Sequence, residues 1–163
     1  MLDNFAQSRK NIVDILVCGA AKSGTQTLIQ TLEQTGCIDT PKILGEPNFF
    51  TLNYGKGVDW YNSLFESPEK VLRAEASPTY LTVGHEFLER ALSHNPDIKC
   101  IFMLRNPVNR AWAQYWANVR KGNEPLSPIE AFDAEQERIG RSQRNLFKFG
   151  YQARSRLYEQ LLP

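Results

Sequence analysis

The hydrophobic residues of the chain form short apolar runs that alternate with segments of helical spacing. The run Ile12–Cys18 is apolar and β-branched and ends in Gly19, which is typical of a buried strand that enters a tight turn. From Thr25 onward apolar residues recur at helical spacing, and Gly36 supplies a stop. These residues are Leu28, Ile29 and Leu32. The pattern predicts a strand, a glycine loop and a helix in direct succession.

Two further strands with helices follow. A strand is predicted over Lys70–Ala74 and a helix over Gly84–Ser93. The clearest strand is Lys99–Leu104, because it is continuously apolar after its lysine, and Pro107 is well placed in the first turn of a helix that reaches about Lys121. Strands that alternate with helices imply a parallel sheet with right-handed crossovers, the doubly wound α/β class.

The remaining segments predict loops and shorter helices. Thr40–Gly57 is rich in Pro, Gly and Asn and predicts an irregular loop, and Val58–Phe65 predicts a short aromatic helix. Ser127–Glu130 is close to a capping box and predicts the start of another helix. Gln152–Leu162 predicts a last amphipathic helix. We find no repeat or linker and expect a single domain over residues 1–163.

Composition limits the classes of function. The chain has 163 residues, of which 42% are hydrophobic and 23% charged, as in a soluble globular domain. A net charge of +1 argues against binding nucleic acid or an anionic membrane through bulk electrostatics. The amino-terminal residues MLDNFAQSRKN lack the apolar core of a signal peptide, so we expect a cytoplasmic protein. The three cysteines form no metal-binding or disulfide pattern.

The loop Gly19-Ala-Ala-Lys-Ser-Gly-Thr25 is the strongest candidate for chemistry. A glycine turn between a buried strand and a helix presents backbone N–H groups and the positive end of the helix dipole, which together make an anion site. In a nucleoside triphosphatase loop the lysine follows the second glycine, whereas Lys22 precedes Gly24. The third strand also ends in Leu104-Arg105 rather than in an acidic metal ligand. A small-molecule kinase is therefore the weakest of the functions considered.

Further segments carry a resemblance to a known family. They are Glu46–Phe50, Asn53–Tyr61, Glu75–Tyr80 and Arg105–Arg110. With the loop, these blocks resemble the sulfotransferases that use 3′-phosphoadenosine 5′-phosphosulfate (PAPS), most closely the heparan sulfate N- and O-sulfotransferase branch, over roughly residues 12–120. The resemblance implies a P-loop-type three-layer α/β/α fold with a central parallel sheet. It also implies transfer of the sulfuryl group to a hydroxyl or amine of a glycan or small metabolite, with PAPS as cosubstrate and no metal.

The resemblance also implies roles for single residues. Lys22 would stabilise the charge on the leaving phosphate, Glu46 would be the general base, and Arg105 would bind the 3′-phosphate. The other donor contacts would come from the loop and the first turn of its helix. They are Ser23, Gly24, Thr25, Gln26 and Thr27. The histidine base of other branches has no matching motif here, and we expect His85 and His94 to be structural.

The chain departs from the family pattern at several points. Ala113 replaces a serine that binds the 3′-phosphate, and Ala76 replaces a lysine of the heparan sulfate branch. The family continues beyond Pro163 into another strand and a basic loop, so we expect a fragment or a shortened protein, in which an open sheet edge favours self-association. The alternative function is a non-catalytic nucleotide-binding or interaction module.

Two groups of residues can be interpreted either as structural or as ligand-binding. Aromatic side chains could stack on sugar or adenine, but we favour core packing. They are Phe49, Phe50, Trp60, Tyr61, Trp112, Tyr115 and Trp116. The basic run Arg138–Lys148 could attract an anionic acceptor, but we favour a solvated helix end.

Overall fold

The structure is a computed structural model that describes residues 12–42, 45–66, 72–83, 85–141 and 150–151. Its strands are β1 (Ile15–Gly19), β2 (Ile38–Asp39), β3 (Leu72–Ala76) and β4 (Lys99–Phe102). Its helices are α1 (Thr25–Gln34), α2 (Gly57–Asn62), α3 (Glu86–His94), α4 (Pro107–Arg120), α5 (Pro128–Asp133) and α6 (Glu135–Arg141). Single 3₁₀ turns lie at Tyr54–Lys56 and Tyr80–Thr82. Contacts group the chain into two compact units. The first holds all the strands and α1 to α3, and the second holds α4 to α6 with the loop residues Ala21–Ser23.

The four strands of the first unit form one parallel sheet in the order β2-β3-β1-β4. β1 lies between two neighbours, with Leu16 opposite both Glu75 of β3 and Cys100 of β4. A strand inside a parallel sheet is covered on both faces, which explains why the β1 run has no polar alternation. The predicted α/β class with a parallel sheet is confirmed.

Helices cover both faces of this sheet. On one face α1 packs through Ile29 against Val17, Ala74 and Ala76. The other face carries the larger core, where aromatic residues pack against the alternate strand positions. Its buried members include Leu16, Cys18, Phe49, Phe50, Tyr61, Tyr80 and Phe87. The first unit therefore has the predicted three layers of helix, sheet and helix.

Several predicted boundaries are wrong by a few residues. The second strand extends to Ala76 rather than Ala74, and the third ends at Phe102 rather than Leu104. β4 lies at the edge of the described sheet, and both Phe102 and Leu104 are about half exposed, so an apolar run here does not mean burial on both faces. The strand β2 was not predicted. It has only two residues, which is too short for an alternation of apolar and polar positions to be visible in the sequence.

The helix boundaries differ in the same way. α2 stops at Asn62 instead of Phe65, and the helix predicted from Gly84 begins at Glu86. The start of α4 is as predicted, with Pro107 in its first turn. The side chain of Asn106 caps it by accepting hydrogen bonds from the N–H groups of Val108 (3.1 Å) and Asn109 (3.2 Å).

The second unit has a small core, formed by Ala111, Tyr115, Ala131 and Tyr151. A buried polar network lies beside it, in which Glu124 accepts hydrogen bonds from Arg138 and Tyr151.

The start of α5 is as predicted. The N–H and the hydroxyl of Ser127 both donate to Glu130 Oε2, at 3.0 and 2.6 Å.

Some expectations concern residues that the structure does not describe. These are the amino-terminal segment, the start of the strand predicted at Lys70, the later part of the basic run and the helix Gln152–Leu162. Among the described helices, none is both long enough and apolar enough to span a bilayer. The single-domain expectation and the cytoplasmic location remain predictions.

Candidate functional site

The loop that leaves β1 begins at a glycine that the surrounding backbone requires. Gly19 has a φ of 131°, and a Cβ added there would lie 3.0 Å from the carbonyl oxygen of Pro78 and 3.1 Å from Cβ of Leu81. Any larger residue would be strained in conformation and would collide with the segment that follows β3. The tight turn predicted at Gly19 therefore also allows two segments at the carboxyl edge of the sheet to touch.

The rest of the loop holds unusual conformations and an unsatisfied hydroxyl. Lys22 has a φ of 69° and Gly24 a φ of 92°, both left-handed. The hydroxyl oxygen of Ser23 is buried and has no hydrogen-bond partner among the described residues. A strained non-glycine residue and an orphaned polar atom next to each other are features of ligand-binding loops.

The helix that follows the loop has no side-chain cap. Gly24 is the N-cap of α1 and supplies no side-chain hydrogen bond. The first N–H groups of an α-helix have no partner within the helix, so this end of α1 can bind an anion. Thr25 is buried, whereas Gln26 and Thr27 are exposed on the first turn. The helix start thus offers backbone N–H groups together with two accessible polar side chains.

Arg105 lies beside the lysine of this loop. Its Nη1 donates a hydrogen bond to the backbone carbonyl of Lys22 at 2.9 Å, and its side chain is exposed. The structure therefore brings together two of the predicted anion-binding residues, Lys22 and Arg105. Because these two cationic residues are neighbours, the site favours a ligand with more than one negative group.

Glu46 lies on an exposed loop that is anchored to the segment after β3. The N–H of Asn48 donates to Ser77 Oγ at 2.9 Å, and the N–H of Phe50 donates to the Tyr80 hydroxyl at 3.3 Å. Thr79 Oγ1 donates to Asn48 Oδ1 at 2.5 Å. Asn48 itself has a φ of 48°, a conformation that asparagine tolerates better than most residues. The loop that carries the predicted base is therefore anchored to the segment after β3 by these three hydrogen bonds.

The segment Ser77–Tyr80 connects the two loops. It anchors the Glu46 loop through hydroxyl groups, and its Pro78 carbonyl faces Gly19. A cavity of about 190 Å³ lies between α1 and the loop that carries Glu46. Its lining includes Gln26, Gln30, Glu33, Gly45, Pro47 and Ala76. The residues on both sides of Glu46 thus share a cavity with the first turn of α1.

Sequence reasoning missed the role of Glu75. It lies within the segment Glu75–Tyr80, whose resemblance to the family implied no role for this residue. Its side chain is fully buried on the core face of β3, where Tyr80 donates a hydrogen bond to Oε1 and Ser77 donates to Oε2 at 3.4 Å. Burial raises the pKa of Glu75 to about 8, although the hydroxyls of Tyr80, Tyr61 and Ser77 oppose the shift. The available signal was a single acidic residue within a short strand between two alanines.

The aromatic residues and the basic run considered in the sequence analysis differ in burial. Phe49, Phe50 and Tyr61 are fully buried, as favoured for packing, whereas Trp112 and Trp116 are 47% and 41% exposed on α4. Arg138 is not at a solvated helix end, because it pairs with the buried Glu124. Among the described residues, no group of three or more metal-ligating side chains occurs. Ala76 is buried and Ala113 is half-buried, so neither position supplies a polar contact.

The sequence profile described as "Sulfotransferase domain" matches residues 13–144, which is most of the chain. This chain belongs to the sulfotransferase family. It also resembles a solved structure, the sulfotransferase from Alicyclobacillus acidocaldarius, with a TM-score of 0.73 and 30% identity. That similarity covers 90% of this chain and 67% of the other. The resemblance found from the blocks is confirmed, and the kinase interpretation is the poorer one.

Relatives of this sulfotransferase-family chain include two human proteins. Heparan sulfate glucosamine 3-O-sulfotransferase 6 is 32% identical over 114 residues, which is 69% of this chain and 32% of the relative. Heparan sulfate glucosamine 3-O-sulfotransferase 5 is 33% identical over 113 residues, or 67% of this chain and 31% of the relative. The chain spans about a third of the length of these relatives.

Proposed function

We propose that this chain forms the donor site and supplies the base of a PAPS-dependent sulfotransferase that acts on a hydroxyl or amine. The observation that carries the proposal is the uncapped start of α1 behind a strained lysine loop, in a chain of this family. The anchoring of the Glu46 loop and the approach of Gly19 to the same Ser77–Tyr80 segment support it.

On the donor side, the residues neutralise charge that develops on the leaving phosphate. As the bond between sulfur and the bridging phosphate oxygen breaks, its electron pair stays on that oxygen. The Lys22 ammonium group and the N–H groups of Gly24 and Thr25 would stabilise this oxygen. Ser23 would gain a hydrogen-bond partner that it does not have among the described residues. Gln26 and Thr27 would add side-chain contacts.

Arg105 would bind the 3′-phosphate of the nucleotide. Its exposed guanidinium group is already tied to the lysine loop, and a planar fork of N–H donors suits a phosphate. Ala113 offers no hydroxyl, so one contact that the family resemblance implies is missing. We expect weaker nucleotide binding than a serine would give, by about 1.5–3 kcal/mol.

On the acceptor side, Glu46 would remove the proton. The acceptor oxygen or nitrogen forms a bond to sulfur while its proton passes to the Glu46 carboxylate, so charge and atoms balance. The exposed position of Glu46 beside the cavity leaves it open to an acceptor. A glycan or a small molecule is the proposed acceptor class. No metal is needed for these steps, and self-association and a cytoplasmic location are further predictions.

Calorimetry tests the donor site directly. The chain is titrated with adenosine 3′,5′-bisphosphate, with ATP and magnesium as the comparison. We expect micromolar binding of the bisphosphate alone and a loss of at least about tenfold in Lys22→Ala. Lys99→Ala is the matched control, because Lys99 is exposed at the opposite end of β4. Equal affinity in the wild type and Lys22→Ala would overturn the loop assignment, and preference for ATP with magnesium would revive the kinase.

A non-catalytic nucleotide-binding module is the second candidate, because the chain spans only about a third of its curated relatives. Transfer of labelled sulfate from PAPS to heparan sulfate or to an amino sugar separates the two. Bisphosphate binding without transfer to any acceptor of such a panel would favour the module.

A further inference from the structure

The Glu75 carboxyl group lies at the centre of a cluster of hydroxyl groups. It accepts hydrogen bonds from Tyr80 and Ser77, and the buried Tyr61 hydroxyl approaches it from α2. Glu75 has no exposed surface, so it cannot touch an acceptor or a nucleotide. Any role it has in the reaction must act through its neighbours.

Those neighbours each make a second hydrogen bond, and both go to the Glu46 loop. Ser77 Oγ accepts from the N–H of Asn48 at 2.9 Å, and the Tyr80 hydroxyl accepts from the N–H of Phe50 at 3.3 Å. A hydroxyl that donates to a fixed acceptor has its lone pairs directed elsewhere, so Glu75 orients both hydroxyls toward the loop. Two amides, two and four residues beyond Glu46, are tied in this way to one buried carboxyl group.

We propose that Glu75 is a positioning residue that clamps the Glu46 loop through Ser77 and Tyr80. We refer to Glu75, Ser77 and Tyr80 as the hydroxyl clamp. The inference rests on the proposed function, since the loop matters for transfer only if Glu46 is the base.

The surroundings of Glu75 favour the neutral form. Burial raises its pKa to about 8, and the negative charge of Glu46 acts in the same direction. From β1, the pKa of the Cys18 thiol is raised mainly by Cys100 and by burial, and Glu75 adds to the increase. From its own strand, Arg73 donates to Asn62 Oδ1 at 2.9 Å and partly offsets the raised pKa of Tyr61. The hydroxyl groups of Tyr80 and Tyr61 act in the opposite direction, because their hydrogen bonds favour the ionised form of Glu75.

Ionisation would change this clamp. Tyr80 and Ser77 donate to different oxygens of Glu75, and both oxygens are full acceptors only when the proton has left. Hydrogen bonds to a carboxylate are also stronger than hydrogen bonds to a neutral acid. We therefore expect the loop to tighten as Glu75 loses its proton, with decreased hydrogen exchange at the two amides. A glutamine has one acceptor oxygen and N–H donors, so Glu75→Gln imitates the neutral acid and cannot ionise.

The test follows the backbone amide signals of Asn48 and Phe50 by NMR, from about pH 6 to about pH 9.5. In the wild type we expect both signals to shift with a midpoint near the pKa of about 8 of Glu75. In Glu75→Gln neither signal should show this transition. A wild type without the transition, or the same transition in Glu75→Gln, would overturn the inference.

A second pair of variants covers the case in which Glu75→Gln does not fold. Tyr80→Phe removes the hydroxyl between Glu75 and Phe50 and leaves Ser77 in place, so the Phe50 transition should be lost while that of Asn48 persists. Tyr54→Phe is the control, because the Tyr54 hydroxyl contacts His94 Nε2 at 3.2 Å rather than the clamp. Loss of the Phe50 transition in Tyr54→Phe as well would contradict the clamp.

The pH profile of sulfate transfer from PAPS to heparan sulfate adds the link to function. The kcat of the wild type should rise with the same midpoint, because the Glu46 loop is held more tightly, and this rise should be absent in Glu75→Gln. Transfer that persists without any amide transition refutes the clamp alone. Amide transitions in a chain that neither binds the bisphosphate nor transfers sulfate refute the proposed function alone.

Discussion

Glu75 in the first unit and Glu124 in the second are both buried glutamates that accept a hydrogen bond from a tyrosine hydroxyl. Tyr80 donates to Glu75, and Tyr151 donates to Glu124 Oε2 at 2.7 Å. Their other partners differ. Glu75 accepts from the Ser77 hydroxyl, whereas Glu124 receives two hydrogen bonds from the guanidinium group of Arg138 and one from the N–H of Leu126. The pKa of Glu75 is raised above its ordinary value, whereas the pKa of Glu124 is lowered.

The difference shows how a cation decides the charge of a buried carboxyl group. Burial alone would raise the pKa of both residues. At Glu124 the hydrogen bonds from Arg138 and Tyr151 reverse that effect and lower its pKa below the ordinary value. At Glu75 the hydroxyls only reduce the increase. We therefore expect a charged, structural carboxylate in the second unit and a neutral, titratable acid beside the Glu46 loop.

The largest expected effect is on the pH dependence of stability at Glu75. Because its pKa in the folded state is raised from 4.5 to about 8, the folded protein retains a proton that the unfolded chain has lost. The free energy of unfolding should therefore fall as the pH rises through this window, by at most about 5 kcal/mol. In Glu75→Gln this term is absent, so the variant should gain on the wild type across the window. Parallel curves in chemical denaturation from about pH 4 to about pH 9 would contradict a neutral Glu75.

Removal of the cation from the other glutamate should have the next largest effect. Arg138→Ala leaves a buried Glu124 carboxylate without its ionic partner and should cost about 3 kcal/mol of stability at neutral pH. The loss should shrink as the pH falls toward 4.5, where the lone carboxyl group can take up a proton. Denaturant titrations at two pH values measure both effects. A cost that does not depend on pH would mean that Arg138 acts through packing alone.

The tyrosine hydroxyls offer a finer comparison. Tyr151→Phe removes a hydrogen bond to a charged carboxylate and should cost about 1.5–3 kcal/mol, whereas Tyr80→Phe removes one to a neutral acid and should cost about 1 kcal/mol. The two variants are compared by urea denaturation at about pH 6, below the transition of Glu75. Equal costs would mean that the two carboxyl groups carry the same charge.

The smallest effect should come from an exposed ion pair. Arg141 pairs with Glu137 four residues earlier, and both side chains are 70% exposed. Arg141→Ala should therefore change stability by only about 0.5 kcal/mol, and less at high salt. It is the matched control for Arg138→Ala, because both variants remove an arginine from α6. A loss as large as that of Arg138→Ala would show that helix content, not burial, explains the result.

Much of the donor side could be predicted from local sequence. Gly19, Lys22 and Gly24 lie within one turn between a strand and a helix, so their spacing alone indicates an anion site. The helix starts at Pro107 and Ser127 were also readable, because caps depend on residues within one turn.

The clamp and the Glu124 network could not be predicted in this way. Asn48 meets Ser77, which is 29 residues away, and Glu124 meets Tyr151 across 27 residues. Such contacts depend on how β3 and the later helices bring distant segments together, and hydrophobic spacing carries no information about them. The same limit explains why Arg138 was interpreted as solvated, since its partner lies in the break between α4 and α5.

The most direct test of the donor site is to map adenosine 3′,5′-bisphosphate onto the chain by NMR with ¹⁵N-labelled protein. The account predicts that the largest shifts occur at the amides of Ser23, Gly24 and Thr25, with a response at the Arg105 side chain, and that Lys22→Ala abolishes them. Binding that shifts signals elsewhere and leaves these amides unchanged would contradict the assignment of this loop as the donor site.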